Sequence, residues 1–327
     1  MKAHYFLILS LFFIDYAFAD TVTVDIKEWQ VPYENSRPRD PFVAPDGKVW
    51  FCGQASAYIA VFDLASGEFK KYDMEDDEHP HNLIIDAQGI VWYAGNTQGY
   101  IGRLDPETGA IKKYSMPNEE VRDPHTLVFD SKGDIWFTSQ QSNYVGKLFV
   151  KTGEVKVIKV PTSYSRPYGI WMDSKDRPWI ALFGTNKLAS VDPDSFTIKE
   201  IELPRANTLP RRLVVTSDDT VWYVDYKEGY LGQYNPVTTK IQEWQLPGKM
   251  KSRPYGMITD DQDRLWFVET GLKPNRLIGF DSNSKTFISQ TDIPSGGGSI
   301  RHMVYHPSSK AIWFGADTNT IGRAVLP

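Results

Sequence analysis

Short apolar stretches recur along this chain at nearly even intervals, and each carries a tryptophan. Trp50, Trp92, Trp136, Trp179, Trp222, Trp266 and Trp313 are separated by 42, 44, 43, 43, 44 and 47 residues. The stretches, such as Val49-Trp50-Phe51, Ile135-Trp136-Phe137 and Leu265-Trp266-Phe267, have the length of buried strands rather than helices. Turn residues precede several of them, as in Asp46-Gly47, Gln88-Gly89 and Lys132-Gly133. One unit divides into strands over 82–86, 90–94, 100–104 and 110–114, with Asp105-Pro106-Glu107-Thr108-Gly109 as the turn between the last two. Similar turns stand at Leu64-Ala65-Ser66-Gly67, Asp192-Pro193-Asp194-Ser195 and Asn235-Pro236-Val237-Thr238. Four strands in a period near 43 residues make a propeller blade, so seven tryptophans predict an all-β, seven-bladed β-propeller.

The last repeat stops after its third strand, at Ile321-Gly322-Arg323. Its missing fourth strand has a counterpart near the N-terminus. Lys27-Glu28-Trp29-Gln30-Val31-Pro32 parallels Gln242-Glu243-Trp244-Gln245-Leu246-Pro247, the fourth strand of the fifth repeat. The N-terminal strand is therefore expected to complete blade 7 and hide the sheet edge that would otherwise lie open. Residues 20–327 form one propeller domain in this reading, with about 44 residues per blade.

Residues 1–19 read as an export signal: Lys2, an apolar run over 5–14, then Ala17-Phe18-Ala19 with small residues where a signal peptidase cuts. That run is shorter than the ~20 residues a bilayer span needs. An exported chain with one cysteine, Cys52, fits a bacterial periplasm or exterior. The lone cysteine also excludes an internal disulfide and a Cys/His zinc site. The 36 Lys and Arg against 41 Asp and Glu, a net charge of −5, argue against a nucleic-acid partner. No coiled coil or apolar patch argues against the monomeric state common in closed propellers.

In a propeller the first strand of each blade lines the central channel, and its start opens on one face. Eleven residues before each tryptophan stand Arg39, His81, His125, Tyr168, Arg211, Tyr255 and His302, one equivalent position per blade. Three of the five histidines beyond the N-terminal segment fall in this ring. One reading is a binding or catalytic site. The plainer one is a polar, solvated rim to the channel mouth.

The repeats resemble those of the streptogramin B lyase (virginiamycin B lyase) family. The resemblance rests on Arg253-Pro254-Tyr255-Gly256-Met257, Leu265-Trp266-Phe267-Val268-Glu269 and Tyr100-Ile101-Gly102-Arg103-Leu104, and it spans Lys27 to Arg323. It implies an enzyme that opens cyclic depsipeptides by breaking a lactone carbon–oxygen bond without water, using Mg2+. A histidine would take the proton α to the carbonyl, and carboxylates would hold the cation. In the family frame His302 takes the base position and Asp317 replaces a glutamate, while Ile300 and Tyr255 stand where a glutamate and a histidine are expected. Rotating the frame by blades aligns His125 as base, Asp123 as the acid two residues before it and His81 in the preceding blade, with Gln140 as a neutral oxygen ligand. Glu78 and His79 add further donors beside that cluster. The candidate bases are thus His81, His125 and His302. The candidate metal ligands are Asp123, Gln140, Asp317 and Glu269, and the candidate substrate contacts are Arg39, Tyr168, Arg211 and Tyr255.

Lesser candidates are Asp225, which shares its offset with Glu269, and Arg301, an anion contact or a partner for rim carboxylates. His306 reads as a turn residue and His79 as a solvated one. Gly296-Gly297-Gly298 lacks the strand–helix context of a phosphate loop. Three functions remain open: a carbon–oxygen lyase acting on a small cyclic ester, a non-catalytic propeller holding a small molecule, peptide or protein, and a lactone hydrolase of gluconolactonase type, whose calcium-binding set has no match at corresponding positions.

Overall fold

In the computed structural model, which describes residues 22–75 and 78–327, the strands form seven four-stranded antiparallel sheets. The expected signal segment lies outside the described residues. Blade 2 shows the pattern, with strand a at Pro80–Ile85, b at Val91–Gly95, c at Tyr100–Leu104 and d at Ile111–Ser115. The sequence-based strand positions agree to within two residues. Strand b is buried throughout, whereas strand d, at the outer edge, has only half-buried and exposed positions. This gradient explains why strand b carries the continuous apolar run and the tryptophan.

Blade 7 joins the two ends of the chain. Its strands Ile300–His306, Ala311–Ala316 and Thr320–Val325 are completed by Asp25–Gln30, antiparallel to the last of them with Trp29 opposite Ile321. Asn319 reinforces the seam, donating from Nδ2 to the carbonyl oxygens of Val31 and Tyr33 at 3.1 and 2.9 Å.

Two repeated devices hold the blades. In blades 2, 4 and 6 the tryptophan Nε1–H donates at 2.9–3.0 Å to an aspartate six residues earlier: Trp92 to Asp86, Trp179 to Asp173 and Trp266 to Asp260. The same aspartates accept backbone N–H groups of the a–b turn, so one carboxylate fixes both turn and core. In strand c, a glycine faces an aromatic ring of strand b. A Cβ on Gly102 would stand 2.1 Å from the Tyr93 ring and one on Gly322 2.1 Å from Phe314, which accounts for the glycine of the Ile-Gly-Arg motif. No helix among the described residues is long and apolar enough to cross a membrane.

Candidate functional site

Six of the seven a strands begin with proline: Pro38, Pro80, Pro124, Pro167, Pro210 and Pro254. A strand at the inner edge of its sheet has N–H groups with no ladder partner, so proline costs little there. After its first one or two residues every a strand slips register, for example between Pro80 and Leu83, between Pro124 and Leu127, and in blade 1 between Arg39 and Phe42. A bulge of this kind re-aims side chains at the point where it occurs. Here it directs two consecutive side chains inward in blades 1, 2, 3 and 5, and one in blades 4 and 6, where the second residue is Gly169 or Gly256.

The ring eleven residues before each tryptophan therefore has a second layer, ten residues before it in blades 1 to 6: Asp40, Asn82, Thr126, Gly169, Arg212 and Gly256. In blade 7, whose a–b connection is one residue longer, the register gives the two bulged positions to Arg301 and His302, and Met303 packs in the apolar core. The two layers meet around the axis. Arg39, Asp40, His81, Asn82, His125, Thr126, Tyr168, Arg212 and Tyr255 are all buried, while Arg211 and His302 are half-buried. Most of these side chains face one another, while Arg211 and His302 keep partial contact with solvent.

The centre is lopsided. On one side, His81 and His125 lie 3.9 Å apart and His125 and Tyr168 4.1 Å apart between ring centroids. His81 Nδ1 is 3.2 Å from the carbonyl oxygen of His125, and a carbonyl only accepts, so Nδ1 carries the proton and Nε2 keeps its lone pair. Thr126 Oγ1 accepts from Arg212 Nη1 at 3.1 Å and lies 2.8 Å from His125 Nδ1. Its hydroxyl hydrogen is free to serve that nitrogen. Asp40 ties the layer together through Arg39 Nε at 3.1 Å and Asn82 Nδ2 at 2.9 Å, with Arg212 at 3.7 Å. Asn82 passes the link on, accepting from the Leu127 N–H at 2.8 Å.

On the other side, the Tyr168 and Tyr255 hydroxyls share a short hydrogen bond. Arg211 stacks 3.4 Å above the Tyr255 ring and lies within 5.2 Å of the Tyr168, Phe183 and Tyr226 centroids. Phe183 and Tyr226 stand four residues after Trp179 and Trp222, the same offset as Gln140 and Asp317.

Burial sets the protonation of the site. It pushes His81 and His125 well below the usual histidine range, with further lowering from Arg39 at His81 and from His81 and Arg212 at His125. Burial, opposed by Asp40 and reinforced by Arg212 and Arg39, takes His302 down to about 4. All three rings are therefore neutral at pH 7. Burial acts to raise the Tyr168 phenol, but Arg211, Arg212 and Arg39 outweigh it and hold the group below its ordinary value. Asp40 goes the same way: burial opposes its ionisation, and Arg39, His302 and Arg212 overcome it.

The structure thus brings together all three candidate bases and all four candidate substrate contacts. The candidate metal ligands are dispersed. Asp123 accepts from the Ser142 N–H at 3.0 Å and from the Ser142 hydroxyl and the Gln141 N–H, tying down the b–c loop of its own blade. Gln140 is half-buried on that loop. Asp317 is clamped by Arg301. Glu269 is buried and taken up by Arg276 at 2.6 Å, Ser252 at 2.7 Å and the Gly248 N–H at 2.8 Å. Glu78 pairs with Lys113, and Asp225 with Arg205. Among the described residues no three His, Cys, Asp or Glu side chains are grouped to hold a metal ion. With each carboxylate already matched to cations or amides, this donor set does not fit Mg2+.

The second layer escaped the sequence reading. Its signal was present in the same repeat one position on, where Asp40, Asn82, Thr126 and Arg212 are polar. Alternation along a regular strand sends that position the other way, and the bulge cancels the alternation.

Residues 23–324 match the profile of the virginiamycin B lyase family. Among solved structures, selenomethionine-substituted virginiamycin B lyase from Staphylococcus aureus superposes with a TM-score of 0.84 at 23% identity, covering 93% of this chain and 100% of that one. A catalytically inactive histidine-to-alanine variant of that lyase, crystallised with quinupristin, gives 0.84 at 24% identity with the same coverage. Kuenenia stuttgartiensis hydrazine synthase gives 0.73 at 12% identity over 90% of this chain and 96% of that one, so the propeller is shared well beyond one chemistry. Compared by sequence alone, the chain matches no curated protein.

Proposed function

The chain belongs to the virginiamycin B lyase family, and from that premise we propose that it opens a lactone or similar cyclic ester by elimination at the channel centre. The observation that carries this reading is the meeting of three neutral histidines, three guanidiniums and two phenols around the channel axis, most of them buried.

Elimination needs a base for the proton α to a carbonyl and a positive field for the charge that develops on the carbonyl oxygen. The neutral histidines can accept the proton. His302 holds the base position of the family frame and has a buried Nδ1 without a partner in the chain. His81 presents an oriented Nε2 lone pair. Arg39, Arg211 and Arg212, with the Tyr168 and Tyr255 hydroxyls, supply the field. The C–H electron pair becomes a carbon–carbon double bond as the carbon–oxygen bond breaks, and the leaving oxygen departs as part of a carboxylate. No step is routed through a metal. The protein is proposed to act after export, with residues 1–19 as its signal.

Mass spectrometry of a streptogramin B treated with the protein, with Mg2+ and then with chelator, tests the reading. A linear product of unchanged mass in both conditions is expected. A product heavier by one water means hydrolysis. No product in either condition sinks the enzymatic reading in favour of a binding propeller, whose quinupristin-bound relative shows that this fold accommodates such a ligand.

A further inference from the structure

The bulged positions contribute four arginines, Arg39, Arg211, Arg212 and Arg301, and one carboxylate, Asp40; Arg301 is matched separately by Asp317. With the histidines neutral, the centre carries two positive charges that Asp40 does not offset. A buried cation without a counter-charge is costly. Several of its donors are also unspent: Arg39 Nη2, Arg211 Nε, and Arg212 Nε and Nη2 are buried and have no hydrogen-bond partner within the chain. Arg39 and Arg212 are themselves 4% and 3% exposed, so bulk water does not compensate them.

From this geometry we infer a binding site for an organic carboxylate, seated between Arg211 and the Arg39–Arg212 pair. A guanidinium offers two parallel N–H bonds in its plane to a carboxylate while its face remains free to stack. Arg211 is arranged for this: its guanidinium carbon stands 3.4 Å over the Tyr255 ring, and its buried Nε has no partner within the chain. The wall beside it is aromatic, made of Tyr168, Phe183, Tyr226 and Tyr255. That surface favours an anion with an apolar body over a bare inorganic ion. The inference rests on the proposed elimination in one respect, that such a reaction releases a carboxylate that these arginines would hold. The site itself depends only on the resting arrangement.

Isothermal calorimetry of the full chain with benzoate, benzamide and inorganic phosphate tests it without any reacting bond. Saturable 1:1 binding of benzoate is expected, with benzamide and phosphate each at least about tenfold weaker. Arg211→Met and Arg39→Met should each weaken benzoate at least about tenfold, whereas Lys132→Met, exposed on the a–b turn of blade 3, should leave it unchanged. Equal affinity for benzamide and benzoate, binding of phosphate without benzoate, or no saturable benzoate binding to the wild-type chain overturns the proposal. Since the wild-type titration decides first, poor folding of a variant does not shelter it. Failure of the mass-spectrometric assay leaves this result standing, and the reverse also holds.

Discussion

Arg212 of blade 5 reaches across the channel to lie 3.7 Å from Asp40 of blade 1, and on the way it donates to Thr126 of blade 3 at 3.1 Å. Three blades far apart in sequence are thus joined through one side chain at the axis, where the inner strands offer no ladder bonds to hold one blade to another.

Replacing Arg212 with Met should therefore cost stability as well as function. It removes one of the charges facing Asp40 and the donor to Thr126, and the loss should be about 2–3 kcal/mol, less than a fully broken buried pair because Arg39 and Asn82 remain. Chemical denaturation read by tryptophan fluorescence measures it. A loss below about 0.5 kcal/mol would show that the cross-channel contact is incidental.

Acid should weaken the fold before the carboxylates titrate. A histidine held neutral in the native state and free to protonate near 6.5 when unfolded contributes stability that is complete above the unfolded value and is lost as pH falls toward the native one. With His302 at about 4, the window runs from about 6.5 to 4. His302 alone accounts for about 3 kcal/mol over it, with His81 and His125 adding in the same direction. Denaturation midpoints measured at each pH check the slope, and His302→Gln should flatten part of it.

If a ring histidine is the base, its removal should reduce turnover by about 10²–10⁴-fold and leave the fold intact. His302→Ala and His81→Ala separate the two candidates, each assayed for turnover and for its circular dichroism spectrum. Two folded variants with wild-type rates would exclude both.

Tyr168 should ionise below the ordinary tyrosine range, since three guanidiniums surround it. Ultraviolet difference titration near 295 nm should show one early-ionising phenol in the wild-type chain and none in Tyr168→Phe. Arg211→Met should move that step upward.

Asp260 offers a test of the repeated core device. Its buried carboxylate accepts from Trp266 Nε1 at 2.9 Å, the Gln262 and Arg264 N–H groups at 2.9 and 3.0 Å, and Arg264 Nε at 2.7 Å. Asp260→Ala strands the indole donor and frees the turn, at about 2–4 kcal/mol. Thermal unfolding of the variant should show the loss.

The sequence by itself determined the architecture. Seven evenly spaced tryptophans, the turns before them and the Lys27–Pro32 echo of the fifth repeat were enough to place four strands per blade and the ring closure, because local pattern and period specify a blade without reference to its neighbours. The same period located Arg39, His81, His125, Tyr168, Arg211 and Tyr255 at equivalent positions, whereas in blade 7 one extra residue in the a–b connection puts Arg301 at that position and His302 one further on. Only the tertiary structure decided what these positions form. The bulges in the a strands added Asp40, Asn82, Thr126 and Arg212 to the centre, contrary to the alternation a strand implies. Likewise the pairing of Asp317 with Arg301 and of Glu269 with Arg276 depends on where loops and strands bring side chains, which residue spacing does not encode. Burial then fixed the charge states: the neutral histidines follow from side chains of different blades covering one another around the axis, an arrangement that no single blade possesses and that closing the ring creates.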